Sequence, residues 1–146
     1  MPKRMIGNII AGRPVISGAK NMTVRAACQL MAEKKIGALL VVEANQIQGI
    51  FTERDALNKV LAGSLDPDTT LLSQVMVSNL LTIRSDKPLA YALYMMAEGG
   101  FRHVPVVDEN GAPLGMVSSR DALGQDMIDL EHDLKIRDQI ESSLGY

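Results

Sequence analysis

The apolar positions of this chain change period along its length. Val24, Ala27, Cys28 and Met31 fall at i, i+3, i+4 and i+7, the stripe of an amphipathic helix. Gly37 follows at a position suited to closing that helix. Leu39 to Val42 is a continuous apolar run, as in a strand covered on both faces. Ile47 to Thr52 supplies its hairpin partner, and Glu53 to Leu61 a second helix. Ahead of these, Pro14-Val15-Ile16-Ser17 reads as a short strand ended by Gly18. The same order then recurs. Leu80 to Ile83 is a strand, Leu89 to Glu98 a helix, Val104 to Asp108 and Leu114 to Ser118 a hairpin, and a closing helix begins near Arg120. Each half is β-α-β-β-α, an α+β fold with helices packed on small sheets.

The recurrence is a duplication. Gly49-Ile50-Phe51-Thr52-Glu53-Arg54-Asp55 returns as Gly115-Met116-Val117-Ser118-Ser119-Arg120-Asp121. Val24, Ala27, Met31, Ala32 and Glu33 match Leu89, Ala92, Met96, Ala97 and Glu98, and Leu39-Leu40-Val41-Val42-Glu43 matches Val104-Pro105-Val106-Val107-Asp108. A half of about 60 residues buries a marginal share of its surface, so the two are expected to fold together. The turn-rich Ala62-Gly63-Ser64-Leu65-Asp66-Pro67-Asp68 marks the internal boundary. The organisation expected is an arm over 1–13, a first repeat over 14–64, a linker over 65–79, a second repeat over 80–127 and a carboxy-terminal helix over 128–146. In that last helix Leu123, Met127, Leu130, Leu134, Ile140 and Leu144 continue an apolar stripe, and Arg137 interrupts a strict heptad. Two readings stay open for it: folding back on its own body, or packing against a second copy of the chain.

Composition narrows the function classes. With 146 residues, 47% of them hydrophobic, the chain can bury a real core. A net charge of -2 with scattered basic residues, and 3% aromatic content, leaves no nucleic-acid footprint. The lone Cys28 cannot pair internally and reads as a small core residue. No apolar stretch approaches the roughly 20 residues of a membrane span, and no signal-peptide pattern opens the chain. The expectation is a soluble, cytoplasmic protein, in which the Asn21-Met22-Thr23 glycosylation triplet has no meaning.

The repeated motif carries the chemistry. Thr52 and Ser118 stand at strand-to-helix junctions with Asp55 and Asp121 three residues on. That spacing resembles a capping box, which satisfies orphan amides. The same geometry suits a phosphate, because a helix start offers free N–H groups and partial positive charge. The hydroxyl can donate to phosphate, Arg54 or Arg120 can grip it bidentately, and the aspartate can accept from ribose hydroxyls. Both readings stand at this point. Ser118, His103 and Asp121 include the residue types of a triad, but Asp121 neighbours the serine and does not orient the histidine. There is no Walker loop and no cysteine–histidine cluster at zinc spacing. No catalytic residue and no metal ligand is assigned.

The duplicated pattern resembles a tandem pair of cystathionine-β-synthase (CBS) domains, a Bateman module, in its small stand-alone form. The resemblance covers nearly the whole chain and is carried by the two Gly-x-x-Ser/Thr-x-Arg-Asp ends and by Arg102-His103-Val104-Pro105-Val106-Val107. It implies two halves paired through their sheets about a pseudo-twofold axis, with two equivalent clefts for adenosine-containing ligands such as AMP, ADP, ATP or NAD, and with S-adenosylmethionine less favoured. By that resemblance Asp55 and Asp121 hold ribose, and Thr52 with Arg54, and Ser118 with Arg120, hold phosphate. Adenine lies against Ile16-Ser17 and Thr82-Ile83, and against Ala38, Leu40 and Pro105. Arg102 and His103 face the central cleft and help neutralise phosphate, while His103 read alone is equally a hydrogen-bonded structural residue. His132 falls on the charged face of the tail and reads as solvated.

The halves are not equal. The first has Gly37-Ala38 and Leu40 where the second has Arg102-His103 and Pro105, and Gly18 stands opposite Ile83. Equal occupancy of two clefts is therefore not expected, although Arg102 and His103 could serve a ligand held by Thr52 and Asp55. The function implied is a regulatory module that senses an adenine nucleotide and signals by a change of shape to a separate effector protein, as a homodimer. Whether magnesium accompanies the ligand is left open. The alternative is a structural or interaction protein in which the motif only caps helices, and a nucleic-acid module is disfavoured by the charge balance.

Overall fold

The computed structural model describes residues 4–144, except the side chains of 125–129 and 131. Met1 to Lys3 of the expected arm, Gly145 and Tyr146 of the tail, and the Met127 side chain of the apolar stripe lie outside the described residues. Two three-stranded sheets form the frame, one per repeat. In the first, β1 (Ser17–Gly18) runs parallel to β2 (Ala38–Glu43), which pairs antiparallel with β3 (Gln46–Thr52). In the second, β4 (Ile83–Arg84), β5 (His103–Val107) and β6 (Pro113–Ser118) repeat that arrangement. The α+β architecture and the added carboxy-terminal helix agree with the sequence reading.

Local chemistry explains the joints. Helix α2 (Val24–Lys34) starts at Thr23, whose side chain accepts from the Ala26 amide at 3.2 Å. The β2–β3 turn places Ala44 and Asn45 at φ 51° and 60°, the left-handed pair that matches the twist of a hairpin. In the β5–β6 turn the Asp108 carboxylate accepts from the amides of Asn110 (2.8 Å) and Ala112 (2.9 Å).

Three expectations need correction. Gly37 does not close α2; Lys35 takes the left-handed turn at φ 56°. The first strands are also shorter and later than expected, Ser17–Gly18 against Pro14 to Ser17, and Ile83–Arg84 against Leu80 to Ile83. In the second half the reason is a detour. Val77 exchanges two 2.9 Å backbone hydrogen bonds with Ile50 of the other repeat's β3, so the chain reaches β5 only at Ile83. In the first half Pro14 has no N–H to give a ladder, and Arg13 to Ile16 line a cavity instead.

That detour belongs to an exchange between the repeats. Helix α1 (Ile6–Ile10), in the expected arm, buries Ile6 and Ile10 in the second repeat's core with Leu89, Ala92, Met96, Val104 and Val117. Helix α4 (Leu72–Val75), in the expected linker, buries Leu72 and Val75 in the first repeat's core with Val24, Met31, Leu39, Phe51 and Val60. Each repeat therefore completes its core with a helix that precedes the other repeat. Each such side chain contributes about 1.5–3 kcal/mol of burial. The motif glycines make room for the incoming segments. A Cβ on Gly49 would lie 2.9 Å from the Val77 carbonyl oxygen, and one on Gly115 would lie 3.2 Å from Ile10 Cβ. A third cluster of Ala38, Leu40 and Ile50, joined by Leu80 and Met116, links residues of both repeats.

The repeats close differently. Helix α3 begins as a single turn (Glu53–Asp55) and widens into a π-helical stretch (Ala56–Leu61). The second repeat closes with a 3₁₀ turn (Ser119–Leu123) that runs into α6 (Gly124–Ser143); between β4 and β5 lies α5 (Leu89–Gly99). On α6 the side chains of Leu130, Leu134, Ile136 and Ile140 are exposed, as are His132 and, just past the helix end, Leu144. Cys28 is half-buried against the first core, and that burial pushes its thiol pKa up.

Candidate functional site

Both motif ends adopt the capping geometry. The Thr52 amide donates to Asp55 Oδ2 at 3.0 Å, and the Asp55 amide donates to Thr52 Oγ1 at 3.2 Å. In the second copy the Ser118 amide donates to Asp121 Oδ2 at 2.8 Å. The following residue anchors each helix start to the residue that leads into the repeat's central strand. The Glu53 amide donates to Gly37 O and the Ser119 amide to Arg102 O, both at 3.0 Å. The two aspartates are buried, 7% and 9% exposed, and each has a cation. Asp55 pairs with Lys59 of its own helix at 3.1 Å. Asp121 pairs with Arg13 at 2.7 Å, and Arg4 donates to its backbone carbonyl. Burial works against the charge on Asp121, but the hydrogen bonds from Arg13 and the Ser118 amide outweigh it and hold the pKa below the usual carboxylate value.

Between the repeats lies a cavity of about 770 Å³. Arg13 of the arm lines it; the first repeat contributes Pro14 to Ile16, Ile36 to Ala38, Leu40 and Glu53, and the second contributes Arg102, His103, Met116 and Ser118 to Arg120. Met31, Lys34 and Lys35 at the end of α2 also line it. The lining thus combines apolar side chains with guanidinium and ammonium groups. His103 opens β5 opposite Ser118. Burial lowers its pKa below the ordinary value, the Glu53 carboxylate works the other way, and the Arg102 and Arg120 guanidinium groups add to the lowering. Near neutral pH its imidazole is uncharged, able to donate one hydrogen bond and accept another.

Of the residues singled out from sequence, the cavity brings together Ile16, Ala38, Leu40, Arg102, His103, Ser118 and Arg120. Ser17, Thr52, Arg54, Asp55, Thr82, Ile83, Pro105 and Asp121 lie outside its lining. Pro105 and Ile83 are buried within the second sheet, and Ser17, Arg54 and Thr82 are exposed elsewhere. Asp121 sits one ion pair away, behind Arg13. Arg13, Glu53, Gly37 and Ser119 were not among the residues singled out. Glu53 and Ser119 occupy the variable position of the motif, and a variable position is where two copies of one geometry can differ in charge. Gly37 is small for a related reason, since a Cβ there would lie 3.1 Å from Glu53 Oε1. Among the described residues no group of three or more His, Cys, Asp or Glu could hold a metal ion, and no helix is long and apolar enough to cross a membrane.

The CBS domain model matches residues 6–62 and 72–126, and the chain belongs to the CBS domain family. Protein MK0525 of Methanopyrus kandleri is 33% identical over 115 residues, 78% of this chain and 59% of that one. The CBS domain-containing protein CBSCBSPB3 of Arabidopsis thaliana is 40% identical over 96 residues, 65% of this chain and 17% of that one. The chain thus spans less than two thirds of either relative. Among solved structures, a CBS-domain protein of Burkholderia ambifaria MC40-6 superposes with a TM-score of 0.78 at 32% identity, covering 86% of this chain and 95% of that one. The CBS domain protein PAE2072 of Pyrobaculum aerophilum, complexed with AMP, superposes with a TM-score of 0.74 at 25% identity, covering 80% and 88%.

Proposed function

We propose that this protein is a regulatory module that binds an adenine nucleotide in the cavity between its repeats and signals occupancy by a change in their relative arrangement. The observation that carries the reading is the cavity itself. It gathers Arg102, Ser118 and Arg120 in one lining with an apolar wall of Ile16, Ala38 and Leu40. Its volume of about 770 Å³ falls within the range of roughly 300–1,000 Å³ typical of small-molecule sites. Guanidinium groups suit phosphate oxygens and the apolar wall suits a purine. AMP in a structure of the same fold supports an adenosine ligand; ADP, ATP and NAD share the features the cavity offers. Because both repeats line it, a ligand with different affinity for two arrangements of the repeats shifts the balance between them. An effector protein then reads the arrangement, and the exposed stripe on α6 supports assembly as a homodimer.

Thermal shift and calorimetry on nucleotide-stripped protein test the reading. AMP should raise the melting temperature, and Arg120→Ala should weaken binding about tenfold, the loss expected for a hydrogen bond to a charged group. No shift with any adenine nucleotide would sink it. One observation favours a second reading, a scaffold without ligand: both motif aspartates are already engaged in capping and ion pairs. A scaffold gains no stability from nucleotide, whereas a sensor does so by mass action.

A further inference from the structure

Glu53 is the one carboxylate among the described residues that line the cavity, which Arg13, Arg102 and Arg120 also line. Its place is fixed by its own backbone. The amide is bonded to Gly37 O, and the carboxylate lies over Gly37, within 3.1 Å of where a Cβ would stand. Its field reaches His103, where it favours the imidazolium form. At the equivalent helix start of the second repeat the residue is Ser119, with the equivalent amide bond, to Arg102 O, and no charge. One geometry, used twice, thus presents a carboxylate from one repeat and a hydroxyl from the other.

We propose that Glu53 is a specificity-determining residue of this cavity, discriminating against the di- and triphosphates of adenosine in favour of the monophosphate. The inference rests on the nucleotide reading above. Volume does not make this choice, since a site of about 770 Å³ has room for any of the three. Charge does. The arginines attract every nucleotide, whereas each added phosphoryl group brings more negative charge into a partly enclosed space that Glu53 shares. Water and salt screen that repulsion less there than at the surface. Rejection by a misplaced like charge is a common route to specificity.

The test is calorimetric titration of AMP, ADP and ATP, in EDTA, into the wild-type chain, Glu53→Gln and Glu53→Ser, the last copying Ser119. The ratio of the ATP to the AMP dissociation constant should fall about a hundredfold in both variants, roughly tenfold for each of the two added phosphoryl charges at ~10 Å and an effective dielectric of ~20. ADP should fall between. If the wild type binds AMP but the ratio is unchanged, or all three ligands tighten equally, the inference is overturned while the nucleotide reading survives. If the wild type binds none of the three, both fall. Retention of the wild-type melting temperature by either variant is enough for the comparison, because each removes the charge.

Discussion

In the first repeat the motif aspartate is held by its own helix, through Lys59 four residues on. In the second it is held from far away, by Arg13 and by Arg4 on its backbone carbonyl. The strand order of the two sheets, the hairpin register shifts after Val41 and Val106, and the two helix-start amide bonds otherwise correspond. Duplication therefore copied backbone geometry without copying chemistry. The strands and caps repeat because they depend on residues close in sequence. Charge around each motif diverges where one nearby side chain differs, as at Lys59, and where a distant segment arrives, as with Arg13.

The exchange of leading helices gives the largest handle on this comparison. Ile6→Ala empties the second core and Leu72→Ala the first, each at 0% exposure in the folded chain. Each should cost about 2–5 kcal/mol in urea denaturation, and each should lower a single shared transition. Two separate transitions would show that the repeats fold independently of the helices they exchange.

A smaller effect separates the aspartates. Asp121→Asn keeps the shape but removes the charge that Arg13 pairs with, and should destabilise the chain by about 1–3 kcal/mol. Arg13→Ala in the same background should then cost little more, because the partner is already gone. Asp55→Asn should leave Arg13→Ala with its full effect. Additive losses for Arg13 and Asp121 in a double-mutant cycle would remove the long-range ion pair from the account.

The smallest effect is on pH dependence. The pKa of His103 is lowered in the folded chain, chiefly by burial. The unfolded chain therefore takes up the proton first as pH falls. The contribution is present in full above the unfolded value near 6.5, and is lost as pH falls from there through the lowered folded value. His103→Gln should flatten melting temperature against pH over that window. An unchanged slope would place the titrating group elsewhere. Asp121, also lowered, adds a loss only at more acid pH, below the ordinary value of 3.8.

Much of the fold was legible in the sequence because it is local. The stripe from Val24 to Met31, the apolar run of β2 and the Thr52–Asp55 and Ser118–Asp121 spacings act over a few residues, and each forms near its expected place. The first strands slipped because pairing with β2 and β5 depends on where the preceding chain has come from. The candidate site divides the same way. Arg102, His103, Ser118 and Arg120 belong to recognisable runs and meet in the cavity. Arg13 carried no local signal, and Glu53 stood at the position the motif leaves free.

By itself, then, the sequence determined the duplication, the alternation of helix and strand, and the caps, since hydrophobic period and capping geometry are properties of short stretches. Only the tertiary structure decided which repeat each leading helix completes, why Gly49 and Gly115 must be small, and that Arg13 reaches Asp121 across 108 positions. Those depend on how two marginal cores share their surfaces. A chain of this length meets that need by lending each half a helix from beyond it.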